Sequence, residues 1–178
     1  MSENKLICIP ELDTTKRFLL GQHGKKELLA IGLNPSTENE QRVDPTSRHI
    51  KTIAQNNGFD GWWLTNLYPH RTPKPTELPK TADLNLAKEN LNFLIETISD
   101  TSNHIDCILC CWGNNIEHRD YLKRYADQLL DDLKHLYIPT KCIGFTLKGN
   151  PYHPAPIGVN RFLGGINNIK LHTYQIKN

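Results

Sequence analysis

Hydrophobic positions along the chain follow two rhythms. Four runs are short and nearly continuous in apolar residues: KELLAIGL (26–33), GWWLTNLY (61–68), IDCILCCWG (105–113) and TKCIGFTL (140–147). Strands covered on both faces read this way, because neither face needs to be polar. Between the runs, apolar residues recur every three or four positions, as on a helix with one buried side. Ile50, Ile53 and Ala54 form the first such side, with Asp44 as cap, Pro45 in the first turn and Gly58 as the stop. Leu84, Ala87, Leu91, Leu94, Ile95 and Ile98 form a second, capped by Thr81. A third carries Leu122, Tyr125, Ala126, Leu129, Leu130, Leu133 and Leu136 and is stopped by Pro139. KRFLLG, followed by the turn-like QHGKK, predicts a hairpin with the first run, and IKLHTYQI alternates as an edge strand.

Strands alternating with helices imply right-handed crossovers and a parallel sheet with helices on both sides. The expected fold is therefore α/β: a three-layer α/β/α sandwich around a central, mainly parallel four-stranded sheet. One domain over residues 1–178 accounts for the whole pattern.

Composition narrows the class without naming a chemistry. With 38% hydrophobic and 22% charged residues the chain reads as globular. No apolar run is long enough to span a membrane, and the start, MSENKLICIPELD, does not read as a secretory signal. A cytoplasmic monomer is the expectation. Net charge is +2, but Leu133 to Asn178 carries six basic residues, Lys148 and Arg161 among them, and no acidic one. That asymmetry reads either as a face that tolerates phosphate or as an accident of a strand-rich tail. Of five cysteines, Cys107 and Cys110 have C-x-x-C spacing. The run around them reads as a buried strand and no second ligand pair follows, which favours reduced core thiols over a metal or redox site.

Ligands of open α/β sheets bind beyond the carboxyl ends of the strands. Asn34-Pro35-Ser36-Thr37 follows the first run, and Asn66 opens the end of the second, ahead of Pro69, His70 and Arg71. Trp112-Gly113-Asn114-Asn115 ends the third, and after the fourth comes GNPYHPAPIG, with His153 between prolines. Amides read the hydrogen-bonding edge of a nucleobase, and a histidine can stabilise charge on a leaving base. The chain has no phosphate-cradling glycine-rich loop with lysine, no G-x-S-x-G elbow and no H-E-x-x-H pair. No metal and no cofactor is expected.

These four segments together resemble the uracil-DNA glycosylase superfamily. AIGLNPST resembles its first motif, WWLTNLYPHR its second strand, CCWGNN its Leu-Trp-Gly strand end, and YHPAPIGVNRFLG its histidine motif with the DNA-inserting loop. The whole chain is similar to a functionally uncharacterised bacterial and phage family, whose hallmark here reads Asn34-Pro35-Ser36-Thr37 followed by Asp44-Pro45-Thr46-Ser47-Arg48. The resemblance implies a uracil-DNA-glycosylase-like fold. It also implies a nucleobase-directed hydrolase that cleaves an N-glycosidic bond of a flipped or free base. Asn34 and His153 would be catalytic, and Asn66 would contact the base. Val159, Asn160 and Arg161 would form a loop approaching a duplex.

Around this core, Gly32, Leu33, Pro35, Ser36, Asp44 and Arg48 are candidates for substrate binding, and Arg71, Lys74 and Lys148 for phosphate contact. DNA, or a nucleotide or nucleoside, is the expected partner. Plainer roles compete at each position. Asn34-Pro35 suits a strand-to-helix turn, His153 a structural histidine, Asp44 and Arg48 a helix cap with a local ion pair, and Arg71 and Lys74 a solvated loop. Trp62, Trp63 and Trp112 read as core before stacking platforms. Two other functions stay open. One is a non-catalytic nucleotide or nucleic-acid binding module. The other is a different small-molecule reaction at the same rim, using Asp44, Arg48 and His49.

Overall fold

The structure, a computed structural model, describes residues 5–36 and 44–174. Thr37 of the Asn-Pro-Ser-Thr stretch, and Gln175, Ile176 and Lys177 at the end, lie outside the described residues.

The four apolar runs form strands β3 (Glu27–Gly32), β4 (Gly61–Asn66), β5 (Ile105–Cys110) and β6 (Thr140–Cys142). They lie side by side and parallel, in the order β4-β3-β5-β6. Every residue of β3 and β4 is buried, as continuous apolar runs require. The sheet does not stop at four strands. β1 (Ile7–Ile9) and β2 (Leu19–Gln22) extend it antiparallel beyond β4, and β7 (His172–Thr173) extends it beyond β6. The fold is thus α/β with a mixed seven-stranded sheet in the order β1-β2-β4-β3-β5-β6-β7. This corrects the four-stranded, mainly parallel expectation. The hairpin is corrected with it: β2 pairs with β4, Leu20 opposite Leu64, and not with β3. Both edges of β3 are already occupied by β4 and β5, so an added strand has to join at β4's outer edge.

Four helices cover the sheet. In α1 (Pro45–Asn56), Asp44 caps the Ser47 N–H and Pro45 sits in the first turn, as the sequence predicts. α2 (Leu84–Ser99) is capped by Asp83, whose Oδ1 accepts from the N–H groups of Asn85 and Leu86. The expected cap, Thr81, lies outside it, and Leu84, in the first turn, is exposed. α3 (Asp120–Leu133) buries Leu122, Ala126, Leu129, Leu130 and Leu133. α4 (Pro156–Phe162) was expected as loop.

Alternation along β3 sorts the layers. Leu29 and Ile31 pack with residues of α2 and α3. Leu28 and Ala30 pack with Ile50 and Ile53 of α1 and Val159 of α4. The chain leaves β3 through α1 to β4 on one side, then returns through α2 to β5 on the other. Successive connections in opposite directions place their helices on opposite faces. They also open a crevice beyond the carboxyl ends of β3, β4 and β5, the switch point where α/β folds bind ligands.

Candidate functional site

At the end of β3 the chain turns through Asn34-Pro35, and the turn is fastened to the segment after β4. The Asn34 Nδ2 group donates to the carbonyls of Thr72 (3.0 Å) and Pro35 (3.1 Å). The Thr72 N–H returns a bond to the Pro35 carbonyl (3.0 Å). With its N–H groups used this way, Asn34 keeps Oδ1 as its acceptor. Asn66 ends β4 directly opposite Gly32. It is 3% exposed, and its Nδ2 has no partner among the described residues. A Cβ on Gly32 would meet Asn66 Oδ1 at 2.8 Å, so glycine is what lets the amide stand there.

His153 is positioned by backbone on both sides. The Gly113 N–H donates to the Pro151 carbonyl (3.0 Å), and the Tyr152 N–H to the Gly144 carbonyl (2.9 Å). Gly113 has φ +71°, and a Cβ there would come within 3.0 Å of the His153 Cβ. Glycine therefore serves both the left-handed backbone and the close approach. From α1, His49 Nδ1 donates to the Pro154 carbonyl at 2.8 Å. His49, one of the candidates for a different reaction, thus fastens the His153 segment to a helix. The turn before it is held by Asn114, whose Oδ1 accepts from Thr146 Oγ1 (2.7 Å) and Asn150 Nδ2 (3.0 Å).

These strand ends enclose a cavity of about 310 Å³, within the range of small-molecule sites. Gly32, Leu33, Asn34, Ser36, Asp44, Asn66 and His153 all line it. Asp44 is more than a helix cap. Its Oδ1 holds the Ser47 N–H, while its Oδ2 accepts from Ser36 Oγ (3.2 Å). Burial pushes the His153 pKa below the ordinary imidazole value, and the nearby Asp44 carboxylate partly opposes the shift. Among the described residues, no group of three or more His, Cys, Asp or Glu side chains is placed to hold a metal ion.

Other sequence candidates lie elsewhere. Pro35 is buried in the turn. Arg48 is exposed on α1 and is not part of the cavity wall. Arg71 is not on a solvated loop: it is buried, and its guanidinium bonds the Lys16 carbonyl (3.1 Å) and the Ser36 carbonyl (3.5 Å). Lys74 is exposed beside Glu77 at 3.6 Å, and Lys148 pairs with Glu117 at 2.6 Å. The expected duplex-approaching loop is helix α4. Val159 is fully buried in the core, and Asn160 and Arg161 are exposed. Arg17 and Thr72 are among the lining residues that escaped sequence reasoning. Arg17, 1% exposed, was legible only as a charge at the edge of the apolar run RFLLG.

Residues 17–155 match the sequence profile of a family described as "Protein of unknown function (DUF1643)". The chain belongs to the DUF1643 family. No curated protein and no solved structure matches it. In this DUF1643 chain the matched region spans β2 through the His153 segment, so every residue named above as lining the cavity lies within it. The expected family of unknown function is what the comparison returns, and nothing in it ties DUF1643 to the glycosylases. No helix among the described residues is long and apolar enough to cross a membrane.

Proposed function

We propose that this protein is a nucleobase-directed hydrolase that cleaves the N-glycosidic bond of a flipped or free base, as its resemblance to uracil-DNA glycosylases implies. One observation carries the reading: Asn34, Asn66 and His153, from three separate strand ends, line a single cavity. The unpartnered Asn66 Nδ2 is a donor for an acceptor on the base edge. A neutral His153 can donate an N–H to the base as the C1′–N bond breaks and its electron pair leaves with the base. Asn34 Oδ1 can orient the water that adds to C1′. The Asp44 carboxylate in the same cavity can take the proton that water gives up.

The setting favours a small substrate over a duplex. Arg71 is buried, Lys74 and Lys148 sit in ion pairs, and Val159 is core. That removes most of the groups expected at a phosphate backbone, which favours a free nucleoside or nucleotide. A binding module is the second reading. It is favoured by Asp44, whose two oxygens are both engaged by the protein itself.

The test offers the protein free nucleosides, nucleotides and oligonucleotides carrying uracil, mismatched or modified bases. Base release is followed by chromatography, and abasic sites by alkaline cleavage. We expect release from at least one substrate, reduced about 100-fold or more in Asn34→Ala and His153→Ala. Gly32→Ala, which displaces Asn66, should also weaken it. No release from any member of the panel overturns the hydrolase. Binding that survives Asn34→Ala and His153→Ala without turnover establishes the module.

A further inference from the structure

On the α2/α3 side of the sheet lies a second cavity, of about 350 Å³. Its wall is largely apolar, formed by Ala87, Leu91 and Leu94 of α2 and Leu129 of α3. Two buried polar atoms interrupt it. Asn90, 4% exposed, donates Nδ2 to the carbonyls of Asn66 (2.9 Å) and Leu67 (3.5 Å). Those bonds fix the amide's orientation, because only the NH₂ end can donate to a carbonyl. The Oδ1 is left without a partner among the described residues, and so is the buried hydroxyl of Tyr125. Leaving a buried polar atom unsatisfied forfeits its hydration with nothing in return, so two in one apolar cleft call for a partner. Burial raises the Tyr125 pKa, which keeps the hydroxyl protonated and able to donate. Lys88 and Arg124 also line the cleft, on exposed residues of α2 and α3. Neither is in an ion pair among the described residues.

We propose that this cleft is a second small-molecule site, for a small carboxylate with an apolar body and a hydroxyl at its far end. The body lies against the leucines. The hydroxyl donates to Asn90 Oδ1, the Tyr125 hydroxyl meets a polar atom of the ligand, and the carboxylate faces Lys88 and Arg124. Asn90 holds the main chain of Asn66, a residue that lines both cavities. A ligand on Asn90 therefore bears on the strand end that carries the base-reading amide. The site stands on its own geometry, whatever the first cavity does.

The probe is 3-(4-hydroxyphenyl)propionate, followed by amide chemical shifts in two-dimensional NMR. 3-Phenylpropionate lacks the hydroxyl, and 4-hydroxyphenethyl alcohol lacks the carboxylate. Saturable shifts confined to α2, α3, the Asn90 side-chain amide and Asn66–Leu67 at the end of β4 are expected, with both controls weaker. Tyr125→Phe, which keeps the ring, should weaken the probe about tenfold. Leu91→Trp, which fills the cleft from a half-buried position, should abolish binding. No saturable shift at α2 or α3 with any of the three compounds overturns the site. Equal affinity for the probe and 3-phenylpropionate, with no effect of Tyr125→Phe, overturns the polar end of the assignment. Should Leu91→Trp fail to fold, Tyr125→Phe and the two controls still decide.

Discussion

His153 shows how one residue acquires a definite protonation state from its surroundings. Burial favours the neutral ring, and Asp44 partly opposes this. In the unfolded chain the imidazole takes up its proton near pH 6.5. In the folded protein it does so only at lower pH. Between those two points the unfolded state binds more protons, so acid favours unfolding there. The contribution of a neutral His153 to stability is complete above about pH 6.5 and is lost as pH falls toward the folded value. His153→Gln should therefore lose less thermal stability than the wild type between about pH 7 and pH 5. A melting series across that range checks it, and equal losses would contradict the depressed pKa. The candidate side chains themselves were legible because asparagine and histidine beside proline at strand ends are conspicuous. Arg17 and Thr72 were not, because burial at a cavity wall leaves no local pattern. Nor could letters show that His49 and Arg71 are spent on carbonyl groups of neighbouring segments.

At the scale of elements, α4 is the instructive case. A proline argues against a helix interior, yet Pro156 stands in the first turn, where its missing N–H costs nothing. The loop that the resemblance implies at Val159–Arg161 is thus a short helix opened by a proline. With seven residues and one buried position, α4 has no period to read. Its role is to plug the α1 side of the core with Val159. Val159→Ala should lower stability by about 2 kcal/mol, from lost methyl burial plus the cavity left behind. Asn160→Ala and Arg161→Ala should each stay within about 0.5 kcal/mol. Urea unfolding of the three variants separates a core helix from a surface loop: similar small effects at all three positions would exclude the core role.

Across the whole molecule, the parallel centre was legible, and so were β2 within KRFLLG and the edge strand β7 within IKLHTYQI; β1, and the partner that β2 pairs with, were not. Long apolar runs mark strands buried on both faces wherever they fall in the chain. Where a short strand such as β1 or β2 joins is selected by a neighbour's free edge, which is a non-local property. The cysteines show the same limit. Cys107 and Cys110 have the spacing of a ligand pair, but on β5 they belong to the two opposite core layers. All five cysteines are buried and none is in a disulfide among the described residues, and burial pushes Cys107 up to about 11 and Cys111 up to about 12. A thiol reagent at neutral pH should label none of the five rapidly in the folded protein, and all five in denaturant. Rapid labelling of any of them under native conditions would contradict this packing.

The cavity joins Asn34 to His153 across more than one hundred residues of chain, with the last parallel strand between them and the His153 turn fastened back onto α1. The wall therefore cannot be complete until the chain has been made past His153. While the chain is being synthesised, the first three parallel strands can emerge and pair before the imidazole exists as part of any wall. A nascent chain ending before residue 150 would carry the amides but not the imidazole. A complete cavity wall is thereby reserved for chains in which all four parallel strands have been made, ahead of β7.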